Sequence, residues 1–152
     1  LVELLTPVVQ LAKESDIMLV VETGNNAIIT SCYLGRKLID DLETKHLKVL
    51  WDPANALYCG ENPSEDALDS MKGGYLGHVH MKDVEVTIHQ ATIKCVALGE
   101  GQMAPHLQKI ADRLNDIGYD GAMSLESVFR PSEGDFEDGF RESVSMFKTL
   151  YS

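Results

Sequence analysis

The chain has 152 residues, of which 44% are hydrophobic and 24% are charged, and 13 Lys and Arg against 24 Asp and Glu give a net charge of −11. This composition is typical of one globular domain, and the acidic charge argues against nucleic acid, whose binding needs clustered basic side chains. No apolar run approaches the roughly 18 residues of a membrane helix, and the three cysteines have neither the pairing nor the CxxC spacing of disulfide or zinc sites. We therefore expect a single cytoplasmic domain over residues 1–152 that binds neither nucleic acid nor a membrane.

Apolar runs of strand length alternate along the chain with longer segments of helical period. This alternation is typical of parallel sheets that are covered by helices. The runs predict strands at 17–21, 48–51, 76–79 and 122–125. Each is mostly apolar on both faces, as buried parallel strands are.

The helices between these strands are predicted from their starts and their apolar stripes. A capping residue or a proline marks the starts, at Thr6-Pro7, Asn62-Pro63, Pro105 and Asp135. The first of these helices is expected to end near Ser15, and Gly118 is placed to end the helix that begins at Pro105. Stripes at helical spacing predict three buried faces: Leu34, Leu38 and Leu42; Leu107, Ile110, Leu114 and Ile117; and Phe136, Phe140, Val144 and Phe147.

The predicted order is a helix followed by four strand-helix units, which cross over right-handed. Two architectures remain open, a small doubly wound sheet or part of a (β/α)8 barrel. A full barrel needs about 250 residues, so this chain has room for half of one. The stretch 83–103 is long for a structureless loop. Alternation at Val84, Val86 and Ile88 predicts a hairpin strand within it, and we expect this loop to fold over a site.

An acidic or imidazole side chain stands at or just after the end of every predicted strand: Glu22, Asp52, His80 and Glu126. In parallel α/β folds the carboxyl ends of the strands form the active face. Two Glu, one Asp and one His are a suitable set for one divalent metal ion, with oxygen donors favouring Mg or Mn and the imidazole admitting Co or Zn. Taken singly, each of these residues is equally well explained as a solvated residue after its strand.

Two further motifs bear on the chemistry of the chain. His78 and His80 are two residues apart, so both point to one face of a strand, with His78 one layer deeper as a hydrogen-bonded or supporting group. Gly99-Glu100-Gly101 lacks the context of a nucleotide-binding loop and is better explained as a segment that lets the backbone approach a ligand or turn into the helix at Pro105. No GxSxG elbow is present, so acyl transfer by a serine nucleophile has no support.

The motifs VVETG, WDPAN, GHVHMKD, LGEG, DIGYDG and SLES occur in this order along the chain. This series resembles the carboxyl half of the sugar phosphate isomerase/epimerase family, the xylose-isomerase-like TIM barrels. The resemblance implies strands five to eight of a (β/α)8 barrel with one divalent metal held by Glu22, Asp52, His80 and Glu126. It also implies that Glu22 and Glu126 are catalytic, as a pair that shuttles a proton through an enediolate.

The resemblance further suggests substrate-binding residues. Lys82, just beyond His80, is expected to meet a substrate hydroxyl, carboxylate or phosphate, unless it is a solvated loop lysine. Asn55 stands where several relatives have a substrate-binding or second-metal histidine, which argues against the apurinic endonuclease branch. With His78, these residues form the predicted substrate-binding group.

The function expected from the resemblance is metal-dependent isomerisation or epimerisation of a sugar or sugar phosphate. Two alternatives stay open: a non-catalytic truncated half-barrel, and a second reaction on the same scaffold, either a metal-dependent lyase of the keto-inositol dehydratase type or a hydroxypyruvate-type isomerase. A half-barrel leaves two sheet edges open, and the chain begins at Leu1 rather than at Met. We therefore expect a piece of a longer barrel, combined with some homodimer contact.

Overall fold

Helices and strands alternate along residues 1–151, which are the residues that this computed structural model describes. In chain order the elements are α1 (Val2–Glu14), β1 (Leu19–Glu22), α2 (Cys32–Asp41), β2 (Leu47–Trp51), α3 (Pro53–Tyr58), α4 (Asp66–Met71), β3 (Leu76–Met81), β4 (Asp83–Thr87), β5 (Thr92–Val96), α5 (Ala104–Asp116), β6 (Met123–Leu125) and α6 (Phe136–Tyr151). Residue 152 of the expected domain lies outside the described residues.

Four strands form one parallel sheet in the order β1-β2-β3-β6. A doubly wound sheet would reverse its strand order at a switch point, and this order does not reverse. The sheet is therefore the arrangement expected of one half of a (β/α)8 barrel. The predicted strands lie close to the observed ones, with β3 extending further, to Met81, so that His80 lies inside the strand.

The core lies between the sheet and the helices. Alternate residues of the two central strands have no exposed surface, namely Val49, Trp51, Val79 and Met81. The predicted stripe of α5 packs into this core, with Leu107, Ile110 and Leu114 all buried. The other face of the sheet is more open, and Val20 on the outer strand β1 is 44% exposed.

Helix ends follow local side-chain chemistry. The Ser31 hydroxyl accepts a hydrogen bond from the backbone N–H of Leu34 at the start of α2. Asp135 accepts from the N–H groups of Glu137 and Asp138 at the start of α6, which confirms its predicted capping role. After α5, Gly118 adopts a φ of +66°, as predicted for a helix-ending glycine.

Two predicted helix starts were wrong. The first helix begins at Val2 and contains Pro7, since the N–H of Leu5 already donates to the carbonyl of Leu1. The third predicted helix begins at Asp66 rather than at Asn62, because the Asn62 side chain accepts from the N–H of Ser64 and forms a turn instead. A short additional helix, α3, follows directly after β2 and was not predicted.

The predicted buried face of α6 was also wrong in part. Phe136 is 60% exposed and Phe140 is 42% exposed, whereas Gly139 and Ser143 face the core. Gly139 is needed there because a Cβ at this position would collide with the backbone carbonyl of Phe129. In α2, Leu34 is likewise 36% exposed, and Leu38 and Ile39 make the buried face.

The long connection at 83–103 contains the predicted hairpin, in which β4 pairs antiparallel with β5. Val84 is buried and Ile88 is 84% exposed at the hairpin tip. Burial raises the pKa of the Cys95 thiol on β5, and the charges of Lys82, Asp52 and Glu126 also act on it. None of the described helices is long and apolar enough to cross a membrane.

Candidate metal centre

The carboxyl ends of the four parallel strands bring together the four residues predicted as metal ligands. Glu22 is the last residue of β1, Asp52 follows β2, His80 lies near the end of β3 and Glu126 follows β6. One potential ligand atom from each of the four lies within 4.8 Å of the others. This spacing is compatible with one shared cation.

His80 gives the strongest indication that a cation belongs here. Its Nδ1 lies 3.4 Å from Oε1 of Glu22 and 3.6 Å from Oε2 of Glu126. Among the described residues, this buried nitrogen has no hydrogen-bond partner. Buried polar atoms are normally paired, so an unpaired imidazole nitrogen between two carboxylates fits a ligand of a divalent ion.

Asp52 is fully buried and is held by the helix that follows it. Its Oδ1 accepts from the backbone N–H groups of Ala54, at 3.0 Å, and Asn55, at 3.1 Å, and so caps α3. Its own N–H donates to the Thr23 hydroxyl at 3.0 Å. The sequence Asp-Pro-Ala-Asn after a buried strand therefore builds a short helix whose cap is also a site residue.

Asn55 lies beneath the site and supports Asp52. It is 8% exposed, and its Nδ2 donates at 3.0 Å both to the Thr23 carbonyl and to Oδ2 of Asp52. Both amide hydrogens are thereby engaged within the protein. The arrangement makes Asn55 a positioning residue for Asp52, and it leaves this side chain no free donor for the substrate contact expected from the sequence.

Lys82 lies inside the cluster rather than beyond it. Its Nζ is 2.5 Å from Oδ2 of Asp52 and 2.8 Å from Oε2 of Glu126, and its side chain is 12% exposed. Burial lowers the pKa of Lys82, but the two carboxylates outweigh burial and raise the pKa above its ordinary value. Burial raises the pKa of Glu126 and the Lys82 ammonium lowers it, with a net decrease. For Asp52, burial outweighs Lys82 and the pKa is raised.

His78 shares a face of β3 with His80, as the two-residue spacing predicts, and the ring centroids are 5.1 Å apart. Its Nε2 lies 2.9 Å from the Ser124 hydroxyl on β6. Burial and the neighbouring His80 lower the pKa of His78, which favours the neutral imidazole. His78 therefore forms a hydrogen-bonded layer below the cluster, and Ser124 is a supporting residue that the sequence did not indicate.

Asp83 is a second supporting residue, and it was not among the residues predicted for the site. Its buried carboxylate accepts four backbone hydrogen bonds, from Val84, Gly99, Gly101 and Met103, at 2.8–3.0 Å. The glycine-rich turn thus closes on a carboxylate of the protein itself, and it leads into α5 as predicted. The GHVHMKD motif contained the signal for this role, because an acid that follows a buried strand and a lysine needs partners for its charge.

The family model described as xylose isomerase-like TIM barrel matches residues 1–150. Among curated protein sequences none matches.

Similar solved structures share the fold. The 3-keto-D-glucoside 4-epimerase from E. coli is 20% identical with a TM-score of 0.76, covering 97% of this chain and 52% of that one. A xylose isomerase domain protein from Planctomyces limnophilus is 22% identical with a TM-score of 0.76, and the match covers 98% of this chain and 50% of that one. The probable 3-DHS dehydratase AsbF from Bacillus anthracis is 17% identical with a TM-score of 0.73, and the match covers 96% of this chain and 55% of that one. The chain therefore spans about half the length of these structures.

Proposed function

The chain belongs to the xylose isomerase-like TIM barrel family, and from that membership we propose that it carries the metal site of a sugar isomerase or epimerase. The observation that supports this most directly is the convergence of Glu22, Asp52, His80 and Glu126 within 4.8 Å. The unpaired Nδ1 of His80 gives that cluster an atom that needs a partner. The substrate class we propose, a sugar or sugar phosphate, is supported by the epimerases among the similar structures.

The four residues would hold one divalent ion, Mn, Mg, Co or Zn. Such an ion, when bound, polarises a carbonyl and its neighbouring hydroxyl and so makes the adjoining C–H more acidic. Asp52 is fully buried and acts only as a ligand. The side chains of Glu22 and Glu126 are 44% and 36% exposed, so these two can also touch a substrate.

Glu22 and Glu126 approach the site from the two outer strands of the sheet. A substrate placed between them would have one carboxylate on each side of its acidic carbon. One glutamate removes the proton, and the other returns a proton to the opposite side, which inverts that carbon through an enediolate. We further propose that Lys82, which donates a hydrogen bond to Glu126, binds an oxygen of the substrate.

The test is hydrogen exchange between solvent and substrate. The 152-residue chain is incubated with Mn²⁺ and a panel of ketoses and ketose phosphates in D₂O, and mass spectrometry with NMR locates deuterium next to the carbonyl. We expect exchange with at least one sugar and its loss in His80→Ala. His89→Ala is the matched control, because His89 is exposed on the hairpin turn.

The outcomes separate the candidate reactions. Deuterium incorporated from the solvent into a sugar or its epimer supports the proposal, whereas loss of water from the substrate supports the dehydratase alternative, which a similar structure also suggests. Failure of the chain to bind Mn²⁺, measured by calorimetry, would overturn the metal-dependent mechanism. Binding without exchange on any substrate would favour the non-catalytic half-barrel.

A further inference from the structure

Lys82 is the cationic partner of the cluster in this structure. Its Nζ contacts Asp52 at 2.5 Å and Glu126 at 2.8 Å, which are two of the residues proposed to hold the metal ion. The cluster contains three carboxylates close together, and uncompensated charges of one sign in a partly buried site are costly. Lys82 therefore neutralises the same oxygens that a cation would use.

The hydrogen bonds of Asp52 show that its oxygens are saturated. A carboxylate offers about four acceptor positions. Oδ1 accepts from the N–H groups of Ala54 and Asn55, and Oδ2 accepts from Nδ2 of Asn55 and from Nζ of Lys82. An ion that binds Asp52 directly must take the place of one of these donors.

Of the four donors, Lys82 is the one that can leave. The two backbone N–H groups form the cap of α3, and moving them would unwind that helix. The Asn55 amide is buried and also satisfies the Thr23 carbonyl. Lys82, by contrast, has a long flexible side chain. Its ammonium can leave Asp52 and stay beside Glu126, whose side chain is 36% exposed.

We propose that Lys82 is a built-in competitor of the divalent ion, which displaces its ammonium from Asp52 and thereby releases it toward the substrate. This inference rests on the proposed function, since it assumes that the cluster binds a metal ion. Before the ion binds, the positive charge of Lys82 balances the negative charges of Asp52 and Glu126. When the ion binds, the ammonium of Lys82 leaves Asp52 and becomes available to contact the substrate.

The first test compares Mn²⁺ affinities by titration calorimetry for the unsubstituted chain, Lys82→Met, Lys82→Gln and Lys94→Met. We expect Lys82→Met to bind Mn²⁺ about tenfold more tightly, because one charge-assisted hydrogen bond no longer competes. Lys82→Gln should also bind more tightly, and it provides a second variant if Lys82→Met does not fold. Lys94→Met removes an equal charge from an exposed pair and should leave the affinity unchanged.

The second test measures where the ammonium lies. Acetylation by an N-hydroxysuccinimide ester, read by peptide mass spectrometry, should become faster at Lys82 when Mn²⁺ is added and stay constant at Lys94. Equal or weaker Mn²⁺ affinity in both Lys82 variants, or protection of Lys82 by Mn²⁺, would overturn the inference while leaving the metal site standing. Absence of Mn²⁺ binding in every form of the chain would overturn both proposals.

Discussion

At the scale of single residues, Asp52 is the most constrained of the four residues of the candidate centre. It is fully buried, and its hydrogen bonds tie the end of β2 to the first turn of α3. Glu22 and Glu126 have freer surroundings at the two outer strands. The same cluster therefore combines a rigid anchor with two accessible carboxylates, a division that suits one buried ligand and two ligands that also carry protons.

Replacing Asn55 by Ala tests the support of that anchor. The substitution leaves the buried Thr23 carbonyl unpaired and removes one donor from Asp52. We expect the free energy of unfolding to fall by about 1–3 kcal/mol, measured by urea denaturation. Asn115→Ala, at an exposed position of α5, is the matched control. A loss no greater than that of the control would show that Asn55 does not hold Asp52.

Replacing Glu22 by Gln tests the proton-carrying role. With Mn²⁺ at saturating concentration, we expect solvent deuterium exchange to slow by about 10²–10⁴-fold, because the amide cannot accept the proton. Circular dichroism should show an unchanged fold, since the side chain of Glu22 is 44% exposed. Exchange at the unsubstituted rate would exclude Glu22 as a proton carrier.

The four clustered residues were predictable from the sequence because each directly follows or ends an apolar strand, and parallel strands end at one edge. The role of Asn55 and the position of Lys82 were not predictable. The role of Asn55 depends on how α3 turns immediately after Asp52, and a six-residue helix leaves little periodic signal. The distance from Lys82 to Asp52 likewise depends on contacts between different strands.

At the scale of elements, Asp83 joins the hairpin to α5. Its carboxylate lies where β4 begins and binds the turn that precedes α5. Asp83 also follows Lys82 directly, so the same anchor fixes the backbone from which the lysine reaches the cluster. Asp83 therefore links the hairpin to the lysine that contacts the candidate centre.

Asp83→Ala should destabilise this linkage. The change leaves four backbone N–H groups without their acceptor, and we expect a loss on the order of 3 kcal/mol, with faster hydrogen exchange at the amides of Gly99 and Gly101. Asp112→Ala, in which an exposed acid of α5 is removed, is the control. Unchanged exchange at the two glycine amides would contradict the anchoring role.

Element types were predictable where one face of an element is buried against the core. The α5 stripe fits this condition, and all of its central residues are buried. The aromatic stripe of α6 was misleading because small residues, Gly139 and Ser143, make the close contact with the rest of the fold. The periodicity of apolar residues does not show which face of a helix packs against the core when the close contact needs small side chains.

At the scale of the whole molecule, the sheet has two outer strands, β1 and β6, and apolar surface accompanies both ends of the fold. Leu4 and Leu11 of α1 are 75% and 63% exposed, and Phe136 and Phe140 of α6 are also exposed. Open strand edges next to exposed apolar side chains favour association. The half-barrel expectation from the sequence agrees with this four-stranded parallel sheet, and the chain covers about half of the similar structures.

We expect the 152-residue chain to self-associate through these two ends. Sedimentation velocity should show a mass that increases with concentration, and the double substitution Leu11→Glu and Phe140→Glu should reduce it. Ile88→Glu, at the exposed hairpin tip, is the control because it lies away from both ends. A monomer at all concentrations, or equal effects of both sets of substitutions, would contradict this expectation.

All donors of the candidate centre come from consecutive neighbours in one sheet, β1, β2, β3 and β6. The four residues of the candidate centre therefore lie within one contiguous stretch of the chain, from Glu22 to Glu126. Joining this stretch to other strand-helix units would leave the cluster intact and change only the surface that surrounds it.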